Sequence, residues 1–248
     1  MGDMREYDET TYGERIAEEY DRMPQLPRDT AQAVQLLAEL AGHGRVLELG
    51  IGTGRLAIPL QQRGIRVEGI DASPAMVTKL RAKPGGADIQ VTMGNFADVA
   101  VDGRFSLVFV AFNTFFALLS QDDQLRCFAN VAAHLDDGGA FLIEAFVPDV
   151  SRFDRGQRVS AISVEGGSTW LDAGVHDPVN QRVTAQHIVM TEAGTRFYPV
   201  QLRYCWPSEL DLMARLAGMR LQNRWGGWLK EPFTASSGKH VSVYRSGG

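Results

Sequence analysis

Five short apolar runs alternate with stretches of helical periodicity between Arg45 and Val147, and no other feature of the chain restricts its fold as much. The runs are RVLEL, IRVEGID, IQVTMGNF, FSLVFVAF and AFLIEAFV, with GRLAIPLQQRG, SPAMVTKLRAK and QDDQLRCFANVAAHL among them. A helix between two strands returns the chain to the starting end of the sheet, so the strands it joins run parallel. The pattern predicts an α/β layered fold for this half. Ser73 followed by Pro74 reads as an N-cap with proline in the first turn. Pro59 argues against a straight helix after the first strand. Upstream, Ala31–Ala41 has apolar residues at helical spacing, with Asp29 and Thr30 as candidate caps.

Beyond Pro148 the texture changes to β-branched residues alternating with polar ones, broken by the turn signals EGG, HDPVN and EAG. This spacing predicts about three or four antiparallel strands. PSELDLMARLAG reads as a helix capped by Ser208 and stopped by Gly218. MRLQNRWGG and KHVSVYR then form a final strand pair that extends the sheet or covers its edge.

The chain has 248 residues and a formal net charge of −5, with no long Lys/Arg run. Nucleic acid is therefore not an expected partner. The polar, acidic N-terminus is unlike a signal peptide. The most apolar stretch, Leu107–Leu119, is too short for a bilayer and is interrupted by Asn113 and Thr114, so no membrane association is expected. Cys127 and Cys205 have no metal-binding spacing and read as free thiols in a reducing cytoplasm. No metal site is expected, and the chain is expected to be cytoplasmic, as a monomer or homodimer.

The first apolar run ends in LELGIGTGR, with Gly50, Gly52 and Gly54 at every second position. Glycines at the carboxyl end of a parallel strand allow positive φ angles and a close backbone approach to a ligand, while the next helix offers free N–H groups. An acidic residue, Asp71, ends the second strand about 20 residues on, where a carboxylate grips ribose hydroxyls in doubly wound sheets. Dinucleotide binders use G-x-G-x-x-G, whereas this spacing is G-x-G-x-G.

Preceded by Glu48, that turn resembles motif I of the class I S-adenosylmethionine-dependent methyltransferases. GIDASPAM is similar to their second motif, and GNFADV with FSLVFVAFNTFF to their third-to-fourth strand region. The resemblance covers roughly Arg45 to Phe146. It implies a Rossmann-like seven-stranded sheet with helices on both faces and an antiparallel β insertion after the fifth strand. Residues 1–43 would form an N-terminal helical lid, 44–149 and 206–248 the cofactor domain, and 150–205 the insertion walling the substrate. Gly50 and Gly52 would pass the methionine part of the cofactor, Glu48 would steady the loop or the ammonium, and Asp71 would hold the ribose. Ala72 would lie against adenine, with Asn95 presenting a carbonyl acceptor where many relatives have aspartate, and Phe96 beside it. Gly54, Met76, Ala111 and Phe112 complete the implied lining, with Tyr12 and Tyr20 from the lid.

The acceptor is less legible. Asn113 ends the fourth strand and either orients an amine or caps the next turn. No Pro-Pro-aromatic motif follows it, which argues against base or amide methylation. Phe116 is a pocket wall or core. Tyr12 and Tyr20 are eight residues apart and can share a helix face, either toward the sulfonium, with Tyr20 preferred, or on the surface. His187 alternates into an insertion strand and is a candidate base. Trp225, Trp228 and Glu231 make half of a cation cage or a hydrophobic clasp over the sheet edge. Phe146, Trp170 and Tyr204 are further candidates for the substrate wall. The tail and NTFF resemble small bacterial N-methyltransferases of the cypemycin type. This implies a small-molecule or peptide amine as substrate, in specialised metabolism. Alternatives are a small-molecule O-methyltransferase, a non-catalytic cofactor-binding domain, and a nicotinamide-dependent reductase.

Overall fold

The computed structural model describes residues 7–247. The first six residues of the expected lid lie outside that range. Seven strands form one sheet: β1 (Val46–Leu49), β2 (Val67–Asp71), β3 (Gln90–Met93), β4 (Phe105–Val110), β5 (Leu135–Phe146), β10 (Met219–Trp225) and β11 (Lys239–Ser246). Their spatial order is β10-β11-β5-β4-β1-β2-β3. The first five are parallel and β11 runs antiparallel between β5 and β10, so the two tail strands extend the sheet. The order reverses between β1 and β4, which opens a crevice at their carboxyl ends.

Alternate residues of each strand enter opposite layers. Leu107 and Phe109 pack under α2 (Thr30–Ala41) and α3 (Ala57–Gln62), whereas Val108 and Val110 meet α5 (Gln121–His134) and α6 (Pro207–Leu216). On β2, Gly69 has no room for a side chain, since a Cβ would sit 2.4 Å from Ile51. Pro59 does not kink α3. The helix begins at Ala57, so the proline falls in the first turn, where its missing N–H is not needed. Ser73 caps α4 (Pro74–Arg81), its hydroxyl accepting from Met76 N at 3.2 Å. Ser208 does not cap α6, because Pro207 already occupies the first turn and Trp206 precedes it. Asp29 precedes α2 without capping it, since its carboxylate pairs with Lys239 at 2.6 Å. β5 starts at Leu135, before the expected run, through an irregular register against β4.

The insertion is an antiparallel sheet of four strands, β6 (Gln157–Glu165), β7 (Ser168–Asp177), β8 (Arg182–Thr191) and β9 (Gly194–Arg203). Trp170, Val189 and Tyr198 on its inner face pack with Ile16, Ala17, Met23 and Met76. This third cluster joins the insertion to α1 (Thr11–Ile16) and α4.

Candidate active site

The turn after β1 is built by its glycines in two different ways. Gly50, Gly52 and Gly54 all have positive φ, at 69, 55 and 80°. A Cβ on Gly50 would lie 2.4 Å from the Thr114 methyl, and one on Gly54 would lie 2.2 Å from Leu80. Those two are required by the protein's own packing. A Cβ on Gly52 would meet nothing nearer than 4.0 Å, so only the backbone angle and the open cleft account for it. Asp71 ties this loop to β2, accepting from Gly52 N at 2.7 Å and Ser73 N at 2.9 Å.

Beside the glycines lies a small cavity of about 30 Å³ that opens to solvent. Glu48, Thr53 and Arg55 form its polar side, and Tyr20, Ala111, Phe112 and Thr114 line the rest. One carboxylate oxygen of Glu48 is buried without a hydrogen-bond partner. Burial pushes the Glu48 carboxyl up to about 8, against the opposing pull of Arg55. Burial likewise pushes the Tyr20 phenol up to about 12, so it is protonated at neutral pH. Arg55 donates to Thr30 Oγ1 at 3.0 Å, and its guanidinium lies 5.8 Å from the centre of the Phe112 ring.

The N-terminal segment is fastened over this cavity. Asp21 accepts from Thr53 Oγ1 at 2.7 Å, and Lys83 reaches both Asp21 and the Thr53 carbonyl. Glu14 accepts from Ser73 Oγ at 2.7 Å and Ala75 N at 2.9 Å. Gly13 permits that approach, since a Cβ there would sit 2.5 Å from the Ser73 Cβ.

Comparison with known proteins agrees with this architecture. Residues 46–139 match the family model described as a methyltransferase domain. The solved CcbJ methyltransferase of Streptomyces caelestis is 42% identical, covers 98% of this chain and 100% of its own, and superposes with a TM-score of 0.93. The chain belongs to the class I S-adenosylmethionine-dependent methyltransferases. The cypemycin N-terminal methyltransferase of a Streptomyces species is 28% identical over 95% of this chain and 98% of its own. CalS10 from Micromonospora echinaspora, an amino pentose methyltransferase solved with S-adenosylmethionine bound, shares the fold at 21% identity. It covers 92% of this chain and 96% of its own, with a TM-score of 0.68.

The methyltransferase brings only part of the anticipated set together. Tyr20, Glu48, Gly50, Gly52, Ala111 and Phe112 line the cavity, and Asp71 supports its loop. Tyr12 lies outside the cavity lining, half-buried, its hydroxyl on the Met23 sulfur and its ring in a T-shaped contact with His187. Burial lowers the His187 pKa, and its Nδ1 is buried without a partner. Asp172 lies 3.8 Å from the other ring nitrogen and also pairs with Arg158. Met76 and Trp170 belong to the cluster joining the N-terminal segment and the insertion, and Ala72 adjoins Asp71.

Several expected contacts are replaced by internal ones. The Asn95 carbonyl, expected to face adenine, accepts from Ala97 N at 2.9 Å, and Phe96 is in the core. The Asn113 carbonyl, expected to orient an amine, accepts from Phe146 N at 2.7 Å. Phe116 is fully buried, edge-on to Phe146. Trp228 is 4% exposed in the core under α2 and offers no open face to a cation. Trp225 meets a cation of its own loop, Lys230 at 5.7 Å, while Glu231 closes that turn on Leu229 N. Tyr204 pairs with His176, away from the cavity lining.

Sequence reasoning missed Arg55, Thr53, Asp21 and Glu144. Glu144 had a legible signal, since an acid inside the apolar run FLIEAFV needs a buried partner.

Proposed function

We propose that this methyltransferase acts on an amine of a small molecule or peptide in specialised metabolism. The observation that carries the reading is the full-length likeness to an enzyme that methylates a peptide N-terminus. The cavity's donor set suits the cofactor, whose amino-acid end has both charges. Glu48, with its unpartnered oxygen, would take the ammonium, Arg55 the carboxylate, and Asp71 the ribose hydroxyls. Bound there, S-adenosylmethionine supplies an electrophilic methyl on a sulfonium.

The protein's own work is then placement and proton handling. A neutral amine uses its lone pair to form the new C–N bond, the C–S electron pair returns to sulfur, and the product ammonium sheds a proton. Tyr20, protonated, lines the cavity and would cover the methyl donor there. His187, neutral and in ring contact with Tyr12, is the candidate base, standing outside the cavity lining. The segment around α1 acts as the lid and the inner face of the insertion as the acceptor wall.

A buried neutral histidine also suits removal of a hydroxyl proton, so O-methylation is the second reading. A matched panel of amines, including short peptides with free N-termini, and phenols tests both by formation of S-adenosylhomocysteine. Turnover confined to amines is expected. Turnover confined to phenols would reverse the choice. No turnover despite tight cofactor binding would make the chain a non-catalytic binder.

A further inference from the structure

Two consecutive non-glycine residues with left-handed backbone end the segment after β4, Phe112 at φ 54° and Asn113 at φ 66°. An L-residue pays for this conformation through crowding of its Cβ, and phenylalanine has no side-chain hydrogen bond to compensate. Such a turn persists only where its surroundings over-determine it.

The end of β5 does so with three hydrogen bonds. The Phe112 N–H donates to the Glu144 carboxylate at 2.5 Å, and the Asn113 N–H to the Glu144 carbonyl at 3.2 Å. The Phe146 N–H returns to Asn113 Oδ1 at 2.7 Å. Only the first uses a charged side chain, and charge-assisted bonds are the stronger class.

Glu144 is 5% exposed between the apolar residues Ile143 and Ala145. A position needing only to fill space would not hold a carboxylate there, because burying one is costly unless it is paired. Lys239 lies 3.6 Å from its second oxygen and is tied to Asp29. Asp29 immediately precedes Thr30, which accepts from Arg55. The carboxylate thus belongs to a framework that also carries the cavity's guanidinium.

We propose that Glu144 is a positioning residue for methyl transfer: by holding the Phe112 N–H, it fixes the left-handed turn that sets Phe112 in the cavity wall and Asn113 beside it. The proposal rests on the cavity being the donor site, not on the choice of amine over hydroxyl.

Glu144→Leu keeps the side-chain bulk and removes the acceptor, whereas Glu144→Gln keeps a carbonyl for the Phe112 N–H. Glu144→Ala is read instead if melting shows that the leucine variant does not fold. Three readouts apply: hydrogen exchange at Phe112, calorimetric affinities for S-adenosylmethionine and S-adenosylhomocysteine, and turnover on the best substrate from the panel.

Loss of a hydrogen bond to a charged group predicts a 10- to 100-fold fall in turnover, with about tenfold faster exchange at Phe112. Glutamine should restore protection and most of the turnover. Equal behaviour of the leucine and glutamine variants would overturn the proposal. So would unchanged Phe112 exchange, or turnover and product affinity falling by the same factor. If no compound in the panel is methylated, Phe112 exchange and the ratio of the two affinities still decide it.

Discussion

Glu48 is the residue whose chemistry is most exposed to test. Its carboxyl is displaced up to about 8 by burial, so much of it is protonated in the free protein at neutral pH. A bound ammonium would favour the carboxylate and expel that proton. Cofactor affinity should therefore rise with pH, by up to about tenfold per unit below pH 8, and level off above it. Calorimetry in buffers of different ionisation enthalpy should record proton release, and Glu48→Gln should abolish both effects. The same raised pKa means that the free protein gains stability from Glu48 below its ordinary range and loses it as pH climbs toward about 8. Asp71→Ala should weaken S-adenosylhomocysteine binding by roughly 30- to 100-fold, because it removes a charged acceptor in a buried site. Unchanged affinity would remove Asp71 from the ribose role. The placement of Glu48 and Asp71 beside the glycine turn was legible because each lies at or near the carboxyl end of a buried strand. The internal bonds of Asn95 to Ala97 N and of Asn113 to Phe146 N were not legible, because a carbonyl near a crevice is as readily taken by a neighbouring N–H, and only coordinates show which.

At the scale of elements, the helical spacing of Tyr12 and Tyr20 suggested one amphipathic helix. The structure instead ends α1 at Ile16 and carries Tyr20 in a separate 3-10 turn, so Tyr20 lines the cavity and Tyr12 does not. The segment is held by Glu14 on the start of α4 and Asp21 on Thr53, contacts between residues far apart in sequence. Gly13→Ala would drive a methyl into Ser73. Overpacking of this kind typically costs about 1–3 kcal/mol. The variant should melt earlier and release S-adenosylhomocysteine faster in stopped-flow measurements. Earlier melting with an unaltered off-rate would make α1 a structural brace and not a lid. The strand-helix alternation was readable because short apolar runs and stretches of helical periodicity follow one another along the chain. The start of β5 was not, because its first residues are held by pairing with β4.

Over the whole molecule, binding of a ligand to the folded state alone raises its stability. S-adenosylhomocysteine at a hundredfold excess over its Kd should add about 2.7 kcal/mol, a rise in Tm of roughly 5–10 °C for a chain of this size. NADH should leave Tm unmoved, and a shift with NADH instead would return the nicotinamide reading. No helix among the described residues is long and apolar enough to cross a membrane. The sequence by itself determined the parallel core, the glycine turn and the acid that follows it, because each depends on local periodicity and on residues close along the chain. Tertiary structure decided which side of the sheet each tail aromatic covers, which carbonyls stay free, and that Glu144 reaches Phe112 across neighbouring strands. Those outcomes turn on competition among distant hydrogen-bond partners, and a linear pattern carries no measure of that competition.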